Sequence, residues 1–152
     1  MTDDSTPLIV EASAADLSAI RQLLLDAELP VADLADGTPV HFWMARKRGS
    51  LVGTVALERF GDAAMLRSLA VRPGFRGAGL GQALVRHAEA CASAAGIHSL
   101  CLLTTTAAEL FDRHGYERIS RTEAPEAVRH SEEFRSLCPD SAVCMLKRLP
   151  AR

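Results

Sequence analysis

Apolar positions recur along this chain with two different periods. Leu8-Ile9-Val10 is a short apolar run after Pro7 and predicts a strand ending at Glu11. Leu17, Ile20, Leu23, Leu24 and Ala27 follow at helical spacing and predict an amphipathic helix over residues 14–28. Ser13 and Asp16 are spaced as a capping box at its start, and Pro30 stops it. Residues 31–39 read as a loop or short helical turn. Three segments rich in apolar residues come next: His41–Arg46, Leu51–Phe60 and Ala63–Val71. Turn signals at Gly49-Ser50 and Gly61-Asp62 separate them, which predicts an antiparallel meander. His41 and Trp43 read as strand packing.

The second half changes period again. Leu80, Ala83, Leu84, Ala88, Cys91 and Ala95 share one face of a helix predicted over Gly79–Ala95, and Gly96 ends it. Ser99–Leu103 is nearly continuously apolar, as suits a strand buried on both faces. Ala107–His114 reads as a short helix ended by Gly115-Tyr116, and Arg118-Ile119 begins a short strand. One or two helical turns are expected over residues 125–137, with Pro125 at a first position, before a last strand over Ala142–Lys147. A strand–helix–strand unit inside a mixed sheet predicts an α/β sandwich, parallel around residues 63–103. No repeat or linker interrupts the pattern, so residues 1–152 are expected to form a single domain.

Composition narrows the function classes. With 48% hydrophobic and 24% charged residues, the chain is neither disordered, collagenous nor a disulfide scaffold. A net charge of −2 supplies no basic excess for nucleic acid, and 5% aromatic residues make a base-stacking platform improbable. No apolar run is long enough for a membrane span, and Met1–Thr6 has no signal-peptide character. A cytosolic protein with reduced cysteines is expected. Cys91, Cys101, Cys138 and Cys144 have no metal-knuckle spacing, and no metal is expected.

The most informative segment is Val71-Arg72-Pro73-Gly74-Phe75-Arg76-Gly77-Ala78-Gly79-Leu80-Gly81. A strand feeds a glycine-dense turn, and the turn opens a helix. Missing side chains let a ligand approach the main chain. Unpaired amides and the helix dipole favour an anion there, and Arg76 adds a full positive charge. The Gly-Lys-Ser/Thr of a Walker loop is absent, and Gln82 stands where a dinucleotide fingerprint needs a third glycine.

The spacing Arg76-x-x-Gly79-x-Gly81, after Leu69-Ala70-Val71-x-Pro73, resembles the acyl-CoA pyrophosphate loop of the GNAT superfamily of N-acetyltransferases. Ala107-x-x-Leu110-Phe111-x-x-x-Gly115-Tyr116 is similar to that superfamily's later motif. The resemblance implies a GNAT fold, with a mixed sheet of about six to seven strands, helices on both faces, and a splay between the fourth and fifth strands. It implies acetyl-CoA as cosubstrate and a small-molecule amine as the other partner, and it admits a homodimer. Backbone groups of Leu69, Ala70 and Val71 would pair with the pantetheine arm. Amides from Arg76 through Gly77, Ala78, Gly79 and Leu80 to Gly81 would hold the pyrophosphate, and the cofactor set extends to Gln82 and Thr104. The amine would attack the thioester directly through an oxyanion held by a fourth-strand amide.

The proton-moving groups are less defined. Phe111 stands where many members place an acidic Tyr, so Tyr116 is the remaining phenol, as acid or as core packing. Glu58 is the candidate base. A two-residue turn at Gly61-Asp62 sets it diagonal to Arg67, so a surface Glu58–Arg67 ion pair is the competing reading. Arg67 and Ser68 precede the pantetheine-pairing residues, Ser68 as a catalytic candidate and Arg67 as a substrate ligand. Thr105 and Thr106, at the end of the fifth strand, are substrate candidates too. Several stretches resemble the arsenic-resistance N-acetyltransferase group more narrowly: Gly53–Glu58, Leu66–Val71, Leu102–Thr106, Phe134–Pro139 and Ser141–Met145. That resemblance implies an amino-acid-like arsenical such as arsinothricin as acceptor, and it raises Cys138 and Cys144 as arsenic ligands, against the competing reading of both as small buried hydrophobes. A protein N-terminal or lysine acetyltransferase and a non-enzymatic acyl-CoA sensor remain as alternatives.

Overall fold

Turn and cap geometry sets where the expected elements begin and end. A computed structural model describes residues 7–29, 31, 40–131, 134 and 141–150. Strand β1 spans Leu8–Glu11, helix α1 Leu17–Asp26, β2 Val40–Lys47, β3 Ser50–Phe60 and β4 Ala63–Val71. Helix α2 spans Leu80–Ala94, β5 Ser99–Thr104, α3 Ala108–Arg113, β6 Glu117–Ile119, α4 Glu126–Arg129 and β7 Val143–Arg148. The seven strands form one mixed sheet in the order β1-β2-β3-β4-β5-β7-β6. The expected loop over residues 31–39 lies outside the described residues apart from Val31, as does most of residues 132–137. No described helix is long and apolar enough to cross a membrane.

Several expected boundaries move, each for a local reason. Ser13 and Asp16 do form a box: the Asp16 carboxylate accepts the Ser13 amide at 2.9 Å and the Ser13 hydroxyl at 3.1 Å. The backbone bond from Ser13 is the main reason the Asp16 carboxyl sits below its ordinary range. The box closes a 3-10 turn over Ala14–Asp16, and the α-helix proper begins only at Leu17. That helix ends before Pro30. Glu28 adopts φ +59°, and the Leu29 amide reaches back to the Leu24 carbonyl at 2.9 Å. This is a Schellman closure with Glu where Gly is usual. The β2–β3 turn is Arg48-Gly49, one residue earlier than expected. Both have positive φ, +52° and +79°, as the primed hairpin turns demand, which frees Ser50 to start β3. Trp43 is buried, but His41 is exposed, stacked on Trp43 at 4.8 Å and bonded to Glu11. Pro125 is the cap before α4 and not its first residue. A 3-10 turn at Arg121–Glu123, closed by a Ser120–Glu123 box, was not expected.

The chain divides into two compact units, each drawn from separated segments: residues 1–56 with 68–88, and residues 57–67 with 89–152. The first packs Ile20, Leu23 and Leu24 of α1 against Phe42, Met44, Leu51, Ala56 and Ala70. At Gly53 the strand and helix backbones come close. A Cβ there would lie 3.1 Å from Leu84 Cδ1 and 3.2 Å from the Ala70 carbonyl oxygen. The leucine tip can shift, but the backbone oxygen cannot. Gly53→Ala should therefore cost about 1–3 kcal/mol through overpacking. At this chain length each kcal/mol is worth roughly 2–4 °C of Tm. A melting scan showing an unchanged Tm would contradict this packing.

In the second unit β4 and β5 run parallel, with Ala63, Ala64 and Met65 opposite Ser99, Leu100 and Cys101. The other side of β5 pairs antiparallel with β7 from Ser99↔Arg148 to Thr104↔Val143. β7 also takes β6, so the last strand inserts between two earlier ones. The core here is Ala63, Met65, Cys101 and Cys144 beneath Ala124, Val128 and Phe134.

Candidate active site

The glycine turn belongs to the first unit and is pinned at its base. Arg72 donates its amide to the Val52 carbonyl at 2.9 Å and its Nε to the Leu51 carbonyl at 2.6 Å. These bonds fix where β4 leaves the sheet. A 3-10 turn over Pro73–Phe75 follows, with the Phe75 amide on the Arg72 carbonyl at 2.8 Å. Arg76 is exposed, and its Nε donates to the Val71 carbonyl at 2.9 Å, which holds the guanidinium beside the turn. Gly77 and Gly79 adopt φ +84° and +83°, where a side chain is strained. A Cβ at either position would meet nothing within 4 Å, so the backbone conformation is what requires glycine, and the turn's outer face is open. The Ala83 amide bonds the Gly79 carbonyl at 3.0 Å. Amides of Leu80, Gly81 and Gln82 therefore have no helical acceptor and form an anion-seeking end, backed by a helix of 15 residues.

One residue of β4 departs from strand geometry. Ser68 has φ +58° and is buried. A non-glycine residue in this region costs on the order of 1–3 kcal/mol and collects at functional sites. It lies directly before Leu69, Ala70 and Val71, the residues expected to meet the pantetheine arm.

The second unit holds the candidate proton carriers. Arg67 Nη1 lies 3.1 Å from Glu58 Oε1. The expected ion pair is thus formed, but it is not a surface pair. The Arg67 side chain is 0% exposed and the Glu58 side chain 13%. Thr104 ends β5, and its hydroxyl accepts the Ala107 amide at 2.9 Å, which organises the entry to α3. Thr105 and Thr106 are exposed in the bend between.

Tyr116 is placed by the end of α3. Gly115 has φ +85°, its amide bonds the Asp112 carbonyl at 3.2 Å, and the Tyr116 amide bonds the Phe111 carbonyl at 3.1 Å. In such a closure the residue after the glycine packs on the residue whose carbonyl it caps. The two rings meet edge-on at 5.2 Å, and both are buried. Lys147 Nζ stands over the Tyr116 ring at 5.5 Å and is paired with Glu89 at 3.1 Å. The phenol oxygen is buried without a well-formed hydrogen bond. Burial pushes its ionisation well up, and the nearby Glu89 charge adds to that. Glu89 and Lys147 went unnoticed in the sequence because they come from α2 and β7, far from Tyr116 along the chain.

A family model for the acetyltransferase (GNAT) domain matches residues 38–118, which contain both motifs and the Glu58–Arg67 pair. The chain belongs to the GNAT acetyltransferase family. An uncharacterized N-acetyltransferase of Chlorobaculum tepidum is 34% identical over 88 residues, covering 57% of this chain and 56% of that protein. The crystal structure of N-acetylglutamate synthase from Neisseria gonorrhoeae, complexed with coenzyme A and L-arginine, superposes with a TM-score of 0.76 at 26% identity. It covers 95% of this chain and 33% of the synthase. A Mycobacterium tuberculosis protein crystallised with CoA matches with a TM-score of 0.76 at 26% identity, covering 95% of this chain and 100% of that one. The GNAT chain thus spans about half of the curated relative and a third of the synthase.

Proposed function

We propose that this GNAT protein transfers the acetyl group of acetyl-CoA to the primary amine of a small, anionic, amino-acid-like molecule. The observation that carries the reading is the glycine turn. Two left-handed glycines, an exposed Arg76 and the first-turn amides of a long helix together suit a pyrophosphate. The amine-acetylating names of the relatives support the reaction class, and the N-acetylglutamate synthase supports an acidic amino acid as acceptor. Arsinothricin, the amine of the group that the sequence resembles, belongs to the same chemical class.

The reaction needs a neutral amine, an oxyanion donor and a leaving thiolate. Glu58 takes the amine proton, directly or through one water. Arg67 is buried and committed to Glu58, so we assign it as a positioning residue that holds the carboxylate, in place of the substrate ligand it was expected to be. Thr105 and Thr106, exposed beyond β5, serve the acceptor's oxygens. A β4 amide near the left-handed Ser68 stabilises the oxyanion. A thiolate leaves without obligatory protonation by a side chain, which agrees with Phe111 at the usual Tyr position.

Tyr116 is then a packing residue. Tyr116→Phe should keep kcat within roughly threefold, whereas loss of a true general acid costs about 10²–10⁴-fold. It should also leave stability within about 1 kcal/mol, because the buried hydroxyl it deletes makes no well-formed hydrogen bond. A steep fall in kcat at unchanged KM would restore Tyr116 as the acid.

The reading as a whole is tested by thiol release from acetyl-CoA against a panel of amines: glutamate-like amino acids, arsinothricin, neutral amino acids and peptide N-termini. Selective turnover of the anionic amino acids is expected. Turnover confined to peptides would make it a protein acetyltransferase. Acetyl-CoA binding without turnover of any amine would make it a sensor.

A further inference from the structure

Cys138 and Cys144 read from sequence as core packing, with arsenic ligation as the alternative, and Cys138 lies outside the described residues. Cys144 has a different neighbour. Its Sγ is 3.9 Å from that of Cys101, and both residues are buried. The register explains the approach. Cys101 pairs with Leu146 and Cys144 with Leu103, so the two thiols are diagonal neighbours on one face of β5 and β7. On the other side of Cys101, its parallel partner on β4 is Met65, which is fully buried in the same cluster. Three sulfur side chains thus run in a row across β4, β5 and β7. Val128 and Phe134 of the same cluster join them, and Ser131 donates its hydroxyl to Met65 Sδ at 3.7 Å.

Two chemistries are open to a pair of close thiols, and the distances separate them. A disulfide needs sulfurs about 2.04 Å apart and Cα atoms within about 7 Å. Diagonal cross-strand Cα atoms are typically about 7–8 Å apart, so closing that bond would require the strands to shift. A bridging atom requires no shift. With metal–sulfur bonds of about 2.3 Å, sulfurs 3.9 Å apart subtend about 116° at the bridging atom, close to trigonal. A trigonal site has one more position, and the register sets Met65 opposite Cys101 on the neighbouring strand.

We propose that Cys101 and Cys144 bind one soft monovalent cation of the copper(I) kind as thiolates, with the Met65 thioether as third ligand. The site favours such an ion over harder ones. Thiolate and thioether select soft metals, whereas calcium and magnesium demand oxygen ligands. Among the described residues, no group of three His, Cys, Asp or Glu side chains is placed to hold a metal, which disfavours tetrahedral zinc. Binding displaces two thiol protons and transfers no electron. The complex carries one net negative charge, which Arg121, over the Phe134 ring at 5.8 Å, offsets and Glu123 opposes. Met65 lies two residues before Arg67 on β4, so the test reads metal binding itself and does not depend on activity.

The experiment is an anaerobic titration of the reduced full chain with copper(I) against a chromophoric copper(I) chelator. Wild type and Cys91→Ser should each withdraw one equivalent. Cys101→Ala and Cys144→Ala should weaken binding by more than the roughly 10–100-fold typical of outer-shell losses, and Met65→Leu by an amount within that range. X-ray absorption on loaded wild type guards against misfolded variants, and should show two or three sulfurs at about 2.3 Å and no nitrogen or oxygen. Wild-type affinity in either alanine variant, failure of wild type to compete, or a nitrogen-containing shell would overturn the proposal.

Discussion

Gly79→Asp should abolish acetyl-CoA binding. Calorimetry on the variant is expected to show no saturable heat at concentrations that saturate the wild type. Two effects add. Any L-residue at φ +83° is strained by about 1–2 kcal/mol, and the turn will relax away from the geometry that aims the α2 amides. The carboxylate also places a negative charge where the pyrophosphate must sit, and like charges in contact repel. Gly79→Ala separates the two, because it carries the strain without the charge, and should weaken binding by roughly 5–30-fold. Neither change should perturb the core, since a Cβ at this position has nothing within 4 Å. Intact binding in Gly79→Asp would remove the glycine turn from the cofactor site.

The second large effect is expected at the Glu58–Arg67 pair. Glu58→Gln should lower kcat by about 10²–10⁴-fold, with little change in acetyl-CoA affinity. Arg67→Met should act through stability as well. Its guanidinium is fully enclosed, so its removal leaves the Glu58 carboxylate, only 13% exposed, without its partner, at a cost of about 3–5 kcal/mol. Combining the two substitutions should recover part of that loss, because the second removes the charge that the first leaves unpaired. Calorimetric melting of the four proteins measures the coupling. Strict additivity would mean that the pair is not interacting, and an unchanged kcat in Glu58→Gln would eliminate it as the base.

Much of this was legible along the chain because it depends on local rules. The apolar periods located α1, α2 and the β2–β4 meander, and the turn glycines located their ends. A count back from the two-residue turn at Gly61-Asp62 brings Glu58 and Arg67 together. What the count could not show was depth. Burial of a charged pair depends on what covers that stretch of sheet, and the covering residues lie elsewhere in the chain. The same limit applies to the last strand. Ala142–Lys147 reads as a strand, but nothing in its residues says that it inserts between β5 and β6. That insertion decides which cysteine meets Cys144, and it carries Lys147 to the Tyr116 ring. Glu28, Arg48 and Ser68 mislead in a further way. All three have positive φ without being glycine, so composition gives no warning of the helix end, the hairpin turn and the irregular residue within β4.

Direct acetyl transfer from acetyl-CoA to a small amine, as proposed, can be followed with acetyl-labelled CoA in a single turnover with a glutamate-like amino acid in excess. All label should leave as the N-acetylated amino acid, with one CoA thiol released per amide formed and no label on the protein. Label retained covalently on the protein, or acetyl-CoA that binds and is never consumed, would contradict it.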